Sequence, residues 1–195
     1  KFRTDKTGTL VSKCAPKGKW TPNSKALFIQ GGQLVYDIGW LGSIRSKSKV
    51  ADGEWHHAVL VYGDDKVRLL VDGKLEAEKH GFTKPDPKGS VLKIGKAGDD
   101  FGGDYKGEIG FVRFWKRELP AEEIAALGQG KEVETNTPLL NWKSGVEEDA
   151  AATSLQFLAV GGIVKVTKVQ LEPLAEVDHA KMIGDLDQVS FERGA

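Results

Sequence analysis

Few residues in this chain have the type and spacing to do chemistry. Asp99, Asp100 and Asp104 place three carboxylates within one glycine-rich stretch, Gly98-Asp99-Asp100-Phe101-Gly102-Gly103-Asp104. Calcium takes roughly six to eight oxygen ligands, chiefly carboxylates and carbonyls, and loops supply these best. The three aspartates are therefore the candidate Ca²⁺ ligands, with a solvated acidic loop as the competing reading. Trp20, Tyr36, Trp40 and Tyr105 fall in or beside loops. There an aromatic face can stack on a sugar ring while neighbouring polar groups select its hydroxyls. These four are the candidate ligand-binding residues, with packing beneath the loops as the alternative. Trp55, Trp115 and Trp142 sit in alternating apolar runs and are expected in the core.

The histidines offer less. His56 and His57 are adjacent on an extended run, so they point to opposite faces and cannot chelate one ion together. His57 shares a face with Trp55 and is expected as a hydrogen-bonded core residue, while His80 and His179 stand alone. The lone cysteine, Cys14, excludes an internal disulfide and any cysteine-based metal or haem motif within the chain. Beside Pro16 and Gly18 it reads as a loop thiol. No Gly-x-Ser-x-Gly elbow, His-Glu-x-x-His helix or phosphate-cradling loop occurs.

These residues need strands and turns to hold them. Residues 53–77 spell a meander: a strand from Trp55 to Tyr62 apolar on both faces, a Gly63-Asp64-Asp65 turn, a strand from Val67 to Val71, and an Asp72-Gly73 hairpin. Upstream, Thr9 to Lys13, a hairpin over residues 26–37 about Gly31-Gly32, and Ser43 to Ser46 are predicted strands. Downstream come Val91 to Ile94, Glu108 to Trp115 and Pro138 to Trp142. Residues 80–90 and 95–106 are loops. The helix expected over residues 120–127 has Pro120 in its first turn and Gly128 as its stop. Further on lie an acidic break at Glu147-Glu148-Asp149 and a last hairpin across Gly161-Gly162. Strands about every ten residues with one short helix indicate an all-β, antiparallel two-sheet sandwich.

The ordered blocks Gly53-Glu54-Trp55-His56-His57, Val67-Arg68-Leu69-Leu70-Val71-Asp72-Gly73-Lys74, Leu92-Lys93-Ile94-Gly95, residues 107–115 and Leu119-Pro120-Ala121-Glu122-Glu123-Ile124 together resemble the laminin-G-like branch of the concanavalin A-like jelly rolls. The resemblance implies a jelly roll closing around Trp55 and Trp115, a recognition role toward a glycan or a neighbouring domain, and export to the periplasm or beyond. Hydrolases on this fold carry Glu-x-Asp-x-x-Glu, whose alternation puts acids on one sheet face. Here the corresponding strand reads Glu108-Ile109-Gly110-Phe111-Val112-Arg113, with one acid. Asp185-Leu186-Asp187 has the right spacing but lies in the tail, so an enzyme is not expected. Relatives with a rim calcium commonly read Gly-x-Ile-Asp-Glu-Val, where this chain has Gly110 and Phe111 in place of the acids.

Lysine plus arginine equals aspartate plus glutamate, 28 each, so nothing in the net charge argues for a nucleic acid or other polyanion. No apolar run is long enough to span a bilayer. The chain reads as one jelly-roll domain over residues 1–175 and a tail or linker over residues 176–195. The opening Lys1-Phe2-Arg3 suggests a piece of something longer. A second resemblance concerns that tail: Phe191-Glu192-Arg193-Gly194 is similar to the lead-in of c-type cytochrome domains. It implies a spacer role, positioning a downstream redox domain, as the alternative to recognition.

Overall fold

The computed structural model describes residues 1–63, 65–115, 117–129, 131, 138 and 140–144. In chain order the strands are β1 (Phe2–Arg3), β2 (Gly8–Cys14), β3 (Lys25–Gln30), β4 (Gln33–Ile38), β5 (Gly42–Lys49), β6 (Trp55–His56) and β7 (Ala58–Gly63). They continue as β8 (Lys66–Val71), β9 (Lys74–His80), β10 (Val91–Ile94), β11 (Glu108–Ile109) and β12 (Phe111–Phe114). Helix α1 (Ala121–Gly128) and β13 (Leu140–Lys143) follow. Among the described residues the fold is the antiparallel β-sandwich with one short helix that the sequence led us to expect. The hairpin at residues 155–167, the acidic break at residues 147–149 and the tail at residues 176–195 lie outside the described residues, as does the domain boundary drawn at residue 175.

The larger sheet runs β10-β2-β3-β4-β5. Its period-two pattern gives it two buried faces. Ile29, Leu34 and Tyr36 point into the main core, whereas Ala26, Phe28 and Val35 point outward beneath Trp20 and Phe101. The outward set is covered by loops rather than by a sheet, and sequence periodicity does not reveal such a cover. Cys14, expected in a loop, closes β2 and is buried.

The second layer, β7-β8-β9, is the predicted meander. Its last turn puts Asp72 and Gly73 at φ 51° and 77°, the left-handed pair that a two-residue hairpin requires and that glycine adopts without a Cβ penalty. Leu60, Val67, Leu69 and Val71 face the main core. Val59, Val61 and Leu70 face out under α1, which buries Ile124 and Leu127 on them. An eight-residue helix is marginal alone. Burying two such side chains, each worth about 1.5–3 kcal/mol, holds it in place. Pro120 precedes the helix as its cap residue, with φ −58° and ψ 155°, and the last helical residue is Gly128.

Two strands that read as continuous are divided. The run from Trp55 to Tyr62 breaks at His57: β6 pairs with β1, and β7 pairs with β8. The run from Glu108 to Trp115 breaks at Gly110: β11 pairs with β1, and β12 with β13. The side-chain alternation survives the first break, since Trp55, His57, Val59 and Val61 do share a face. That face is the one under α1, and Gly128 at the helix end already lies against His57, with a Cβ there only 3.2 Å from its ring. The cover stops one pleat short of Trp55, which is 39% exposed instead of central. Trp115 is half-buried in the cluster beneath the helix, and Trp142 is the indole enclosed in the main core.

Candidate functional site

The register Cys14↔Val91, Lys13↔Lys25, Lys25↔Ile38 and Ile38↔Gly42 puts residues 15–24, 39–41 and 81–90 at one end of the larger sheet. Among them the β4–β5 connection is a tight turn closed by Leu41 N–H donating to the Ile38 carbonyl at 2.9 Å. Its third position is Trp40, at φ 63° and 73% exposed. Turns with a left-handed third position ordinarily take glycine or asparagine there, and a bulky residue is a true outlier.

Neighbouring backbone holds that geometry. Asn23 N–H donates to the Gly39 carbonyl at 3.0 Å, and Gly39 N–H donates to the Ser24 carbonyl at 2.8 Å. A Cβ on Gly39 would meet the Thr21 carbonyl oxygen at 2.5 Å, so only glycine lets the turn and the 21–24 loop close together. Beneath them Trp20 stacks on Phe101, with ring centroids 4.1 Å apart and planes 6° from parallel, and Phe101 meets Phe28 edge-on. Trp40 thus projects from a rigid base.

Charge is sorted at this end despite the neutral whole. Residues 15–24 and 81–90 carry Lys17, Lys19, Lys84 and Lys88, all exposed, against one carboxylate, Asp86. That carboxylate is already gripped by Lys13 and Lys25, each at 2.5 Å. Burial raises the Asp86 pKa, but the two ammonium groups outweigh it and hold the carboxyl below its ordinary value. Other acids reach this end from outside those loops: Asp99 and Asp100 lie against residues 18–20, and on the other sheet Glu78 pairs with Lys66 at 3.2 Å.

The four aromatics expected to bind ligand do not act together. Tyr36 is buried in β4, edge-on to Phe82, and Tyr105 is buried with its hydroxyl donating to the Arg3 carbonyl at 2.9 Å. Burial pushes both phenols above the ordinary tyrosine range. Neither can stack on a ligand, because each faces inward from its chain position. Trp20 is half-buried under its stack, and Trp40 alone of the four is open to solvent.

The three aspartates do not converge either. Asp99 accepts Gly18 N–H at 3.2 Å and lies 3.8 Å from Lys96, while Asp100 accepts Trp20 N–H at 2.7 Å. Both carboxylates pin the 15–20 loop rather than turning toward Asp104. Among the described residues no three His, Cys, Asp or Glu side chains are grouped to hold a metal ion. Glu108, the acid on the strand where hydrolases carry theirs, pairs with Arg3 at 2.5 Å, and the Arg3 guanidinium also lies over the Trp55 ring.

His57 is buried as expected, yet its Nδ1 has no hydrogen-bond partner. Burial, with cationic neighbours, lowers its pKa to about 4 and keeps the ring neutral. His56 carries the stronger polar constellation, one that residue spacing did not reveal. Its Nδ1 faces Asp72 Oδ2 at 2.7 Å and its Nε2 faces Asp52 Oδ1 at 3.1 Å. The rim lysines were also missed, although prolines flanking acid-poor, lysine-bearing loops were a usable signal.

The family model described as "Concanavalin A-like lectin/glucanases superfamily" matches residues 13–125. Over 57 residues the chain is 44% identical to laminin subunit alpha-3 of Homo sapiens, an alignment covering 27% of this chain and 2% of that protein. The chain therefore spans a small fraction of this curated relative. Among solved structures it is similar to residues 221–444 of an S-layer domain-containing protein from Clostridium thermocellum, with 24% identity and a TM-score of 0.37 over 55% of this chain and 57% of that one. It is also similar to domains LG4-5 of the mouse laminin alpha1 chain, with 20% identity and a TM-score of 0.41 over 54% of this chain and 31% of that one.

Proposed function

The chain belongs to the concanavalin A-like lectin/glucanase superfamily, and on that premise we propose that it is a non-catalytic recognition module that grips a glycan at the rim around Trp40. Laminin G-like domains are generally non-catalytic binding modules of this kind. The observation that carries the reading is Trp40 itself: a large aromatic, held open to solvent in a backbone conformation that costs free energy, on a base made rigid by Gly39 and the Trp20–Phe101 stack. Strain kept at an exposed position is a signal of function.

The surroundings favour a sugar over a flat protein face. Protein interfaces bury a broad apolar centre and are depleted in lysine. Here a single exposed indole shares one end of the sheet with loops that carry Lys17, Lys19, Lys84 and Lys88. That combination suits a pyranose ring stacked on Trp40, with carboxylate or sulfate groups reaching the ammonium groups. The module would work outside the cytoplasm, secreted or periplasmic, as part of a longer protein.

A glycan array spanning neutral, uronate-bearing and sulfated chains tests the proposal. Binding is expected to acidic members, to weaken with added salt as exposed charge pairs do, and to disappear in Trp40→Ala while the melting curve stays cooperative. Absence of binding to any sugar at about millimolar concentration would overturn it and leave the architectural spacer as the better account.

A further inference from the structure

His56 sits where the chain passes from one ladder to the next, with each ring nitrogen facing a carboxylate from a different element. Asp52 comes from the loop after β5, and its Oδ1 also accepts the Glu54 amide at 2.9 Å. Asp72 comes from the β8–β9 turn, and its Oδ1 accepts the His57 amide at 2.7 Å while Oδ2 meets His56 Nδ1. A neutral imidazole has one N–H and one lone pair, so it can donate to one carboxylate only; donation to both requires the imidazolium.

We propose that His56 is a proton-operated clamp: charged, it ties the 51–54 loop to the β8–β9 turn, and on losing a proton it releases Asp52 while keeping Asp72.

The geometry sets which side lets go. The Asp72 contact is the shorter, and Asp72 is held a second time through the His57 amide. The Asp52 contact is longer, at 3.1 Å, and the other bond that Asp52 accepts, from the Glu54 amide, lies within its own loop. Once Nε2 is deprotonated its lone pair faces Asp52 Oδ1 and repels it. The loop is then left with one backbone tether outside itself, the Gly53 amide on the Thr4 carbonyl at 3.0 Å. Other charged groups nearby do not share the task. On β1, Phe2 presents its ring to His56, with centroids 6.0 Å apart, and Arg3 is turned to Glu108. Within the loop Glu54 contributes its amide, and on β6–β7 the neutral His57 ring packs on Phe111. Burial draws the His56 pKa down, but the hydrogen bonds and charges of Asp72 and Asp52 outweigh it, placing the transition above the ordinary histidine value.

Amide exchange and ¹⁵N side-chain spectra of the full chain across a pH series test the clamp. Both His56 ring nitrogens should remain protonated above the usual histidine transition. Across the His56 transition the protection factor of the Glu54 amide should fall about tenfold, the loss of one charge-assisted hydrogen bond, while that of the His57 amide holds. In Asp52→Ala, which removes the acceptor, Glu54 protection should already be low and no longer vary with the His56 titration. In Asp72→Ala, the His57 amide should lose protection instead. A His56 titration at the ordinary value that is indifferent to Asp52→Ala, or Glu54 and His57 amides opening together, would overturn the proposal.

Discussion

Trp40 carries a cost that its surroundings do not require for folding. A non-glycine residue in the left-handed region is disfavoured by about 1–2 kcal/mol, and no buried contact of this exposed ring offsets that. Trp40→Gly should therefore stabilise the domain, by about 0.5–1 kcal/mol once the extra freedom of glycine in the unfolded chain is deducted. The same variant should lose whatever the rim binds. Urea denaturation and the glycan array, run on one preparation, separate these outcomes; a variant that is less stable than the parent would mean that the indole packs and that its exposure is incidental. Gly39 makes the opposite case. Its alanine variant meets the Thr21 carbonyl and should destabilise the turn without touching any ligand group.

Between elements, the tie most dependent on one side chain is Glu76 on β9. Its Oε2 accepts the Lys47 and Ser48 amides at 2.7 and 2.8 Å, and its Oε1 accepts the Ser48 hydroxyl at 2.7 Å. The edge of one sheet is thereby fastened to the edge of the other, and these bonds hold the Glu76 carboxyl below its ordinary value. Glu76→Gln keeps the size and one acceptor for the two amides but puts a donor where the Ser48 hydroxyl donates, and it removes the charge that strengthens all three bonds. A loss of about 1–2 kcal/mol is therefore expected in chemical denaturation, and a change below about 0.5 kcal/mol would show the tie to be idle. Much at this scale was legible in sequence: β2 to β5 and β7 to β9 follow from period-two alternation and from Gly31-Gly32 and Asp72-Gly73. The breaks at His57 and Gly110 were not, because a strand can change hydrogen-bonding partner while its side chains keep alternating. β1 is two residues long and has no pattern to detect. Of the binding aromatics, Trp40 could be placed from its turn. The inward facing of Tyr36 and Tyr105 depends on partners such as Phe82 and Arg3, far away in sequence.

For the molecule as a whole, two adjacent histidines on opposite faces give stability opposite slopes with pH. His57 is buried neutral with its pKa lowered to about 4, so the unfolded chain binds its proton more readily. Stability then falls as pH drops below about 6.5 and levels near 4, a total of about 3 kcal/mol by linkage. Asp86 and Glu76, held below their ordinary values, extend that loss into stronger acid as each is protonated. His56 has a raised pKa, so its contribution is full below about 6.5 and is lost as pH climbs through its folded value. The two slopes meet near neutrality, where the urea midpoint should peak. His57→Phe, which removes a titrating group and an unpartnered buried nitrogen, should flatten the limb between pH 6.5 and about 4 and leave the alkaline limb in place. Removing the carboxylate partner by Asp52→Asn should do the reverse, shallowing the alkaline limb and sparing the acid one. A midpoint that climbs steadily from pH 5 to 8 in the parent chain would show that His56 is not held as its surroundings dictate, and one that stays flat below pH 6.5 would show the same of His57.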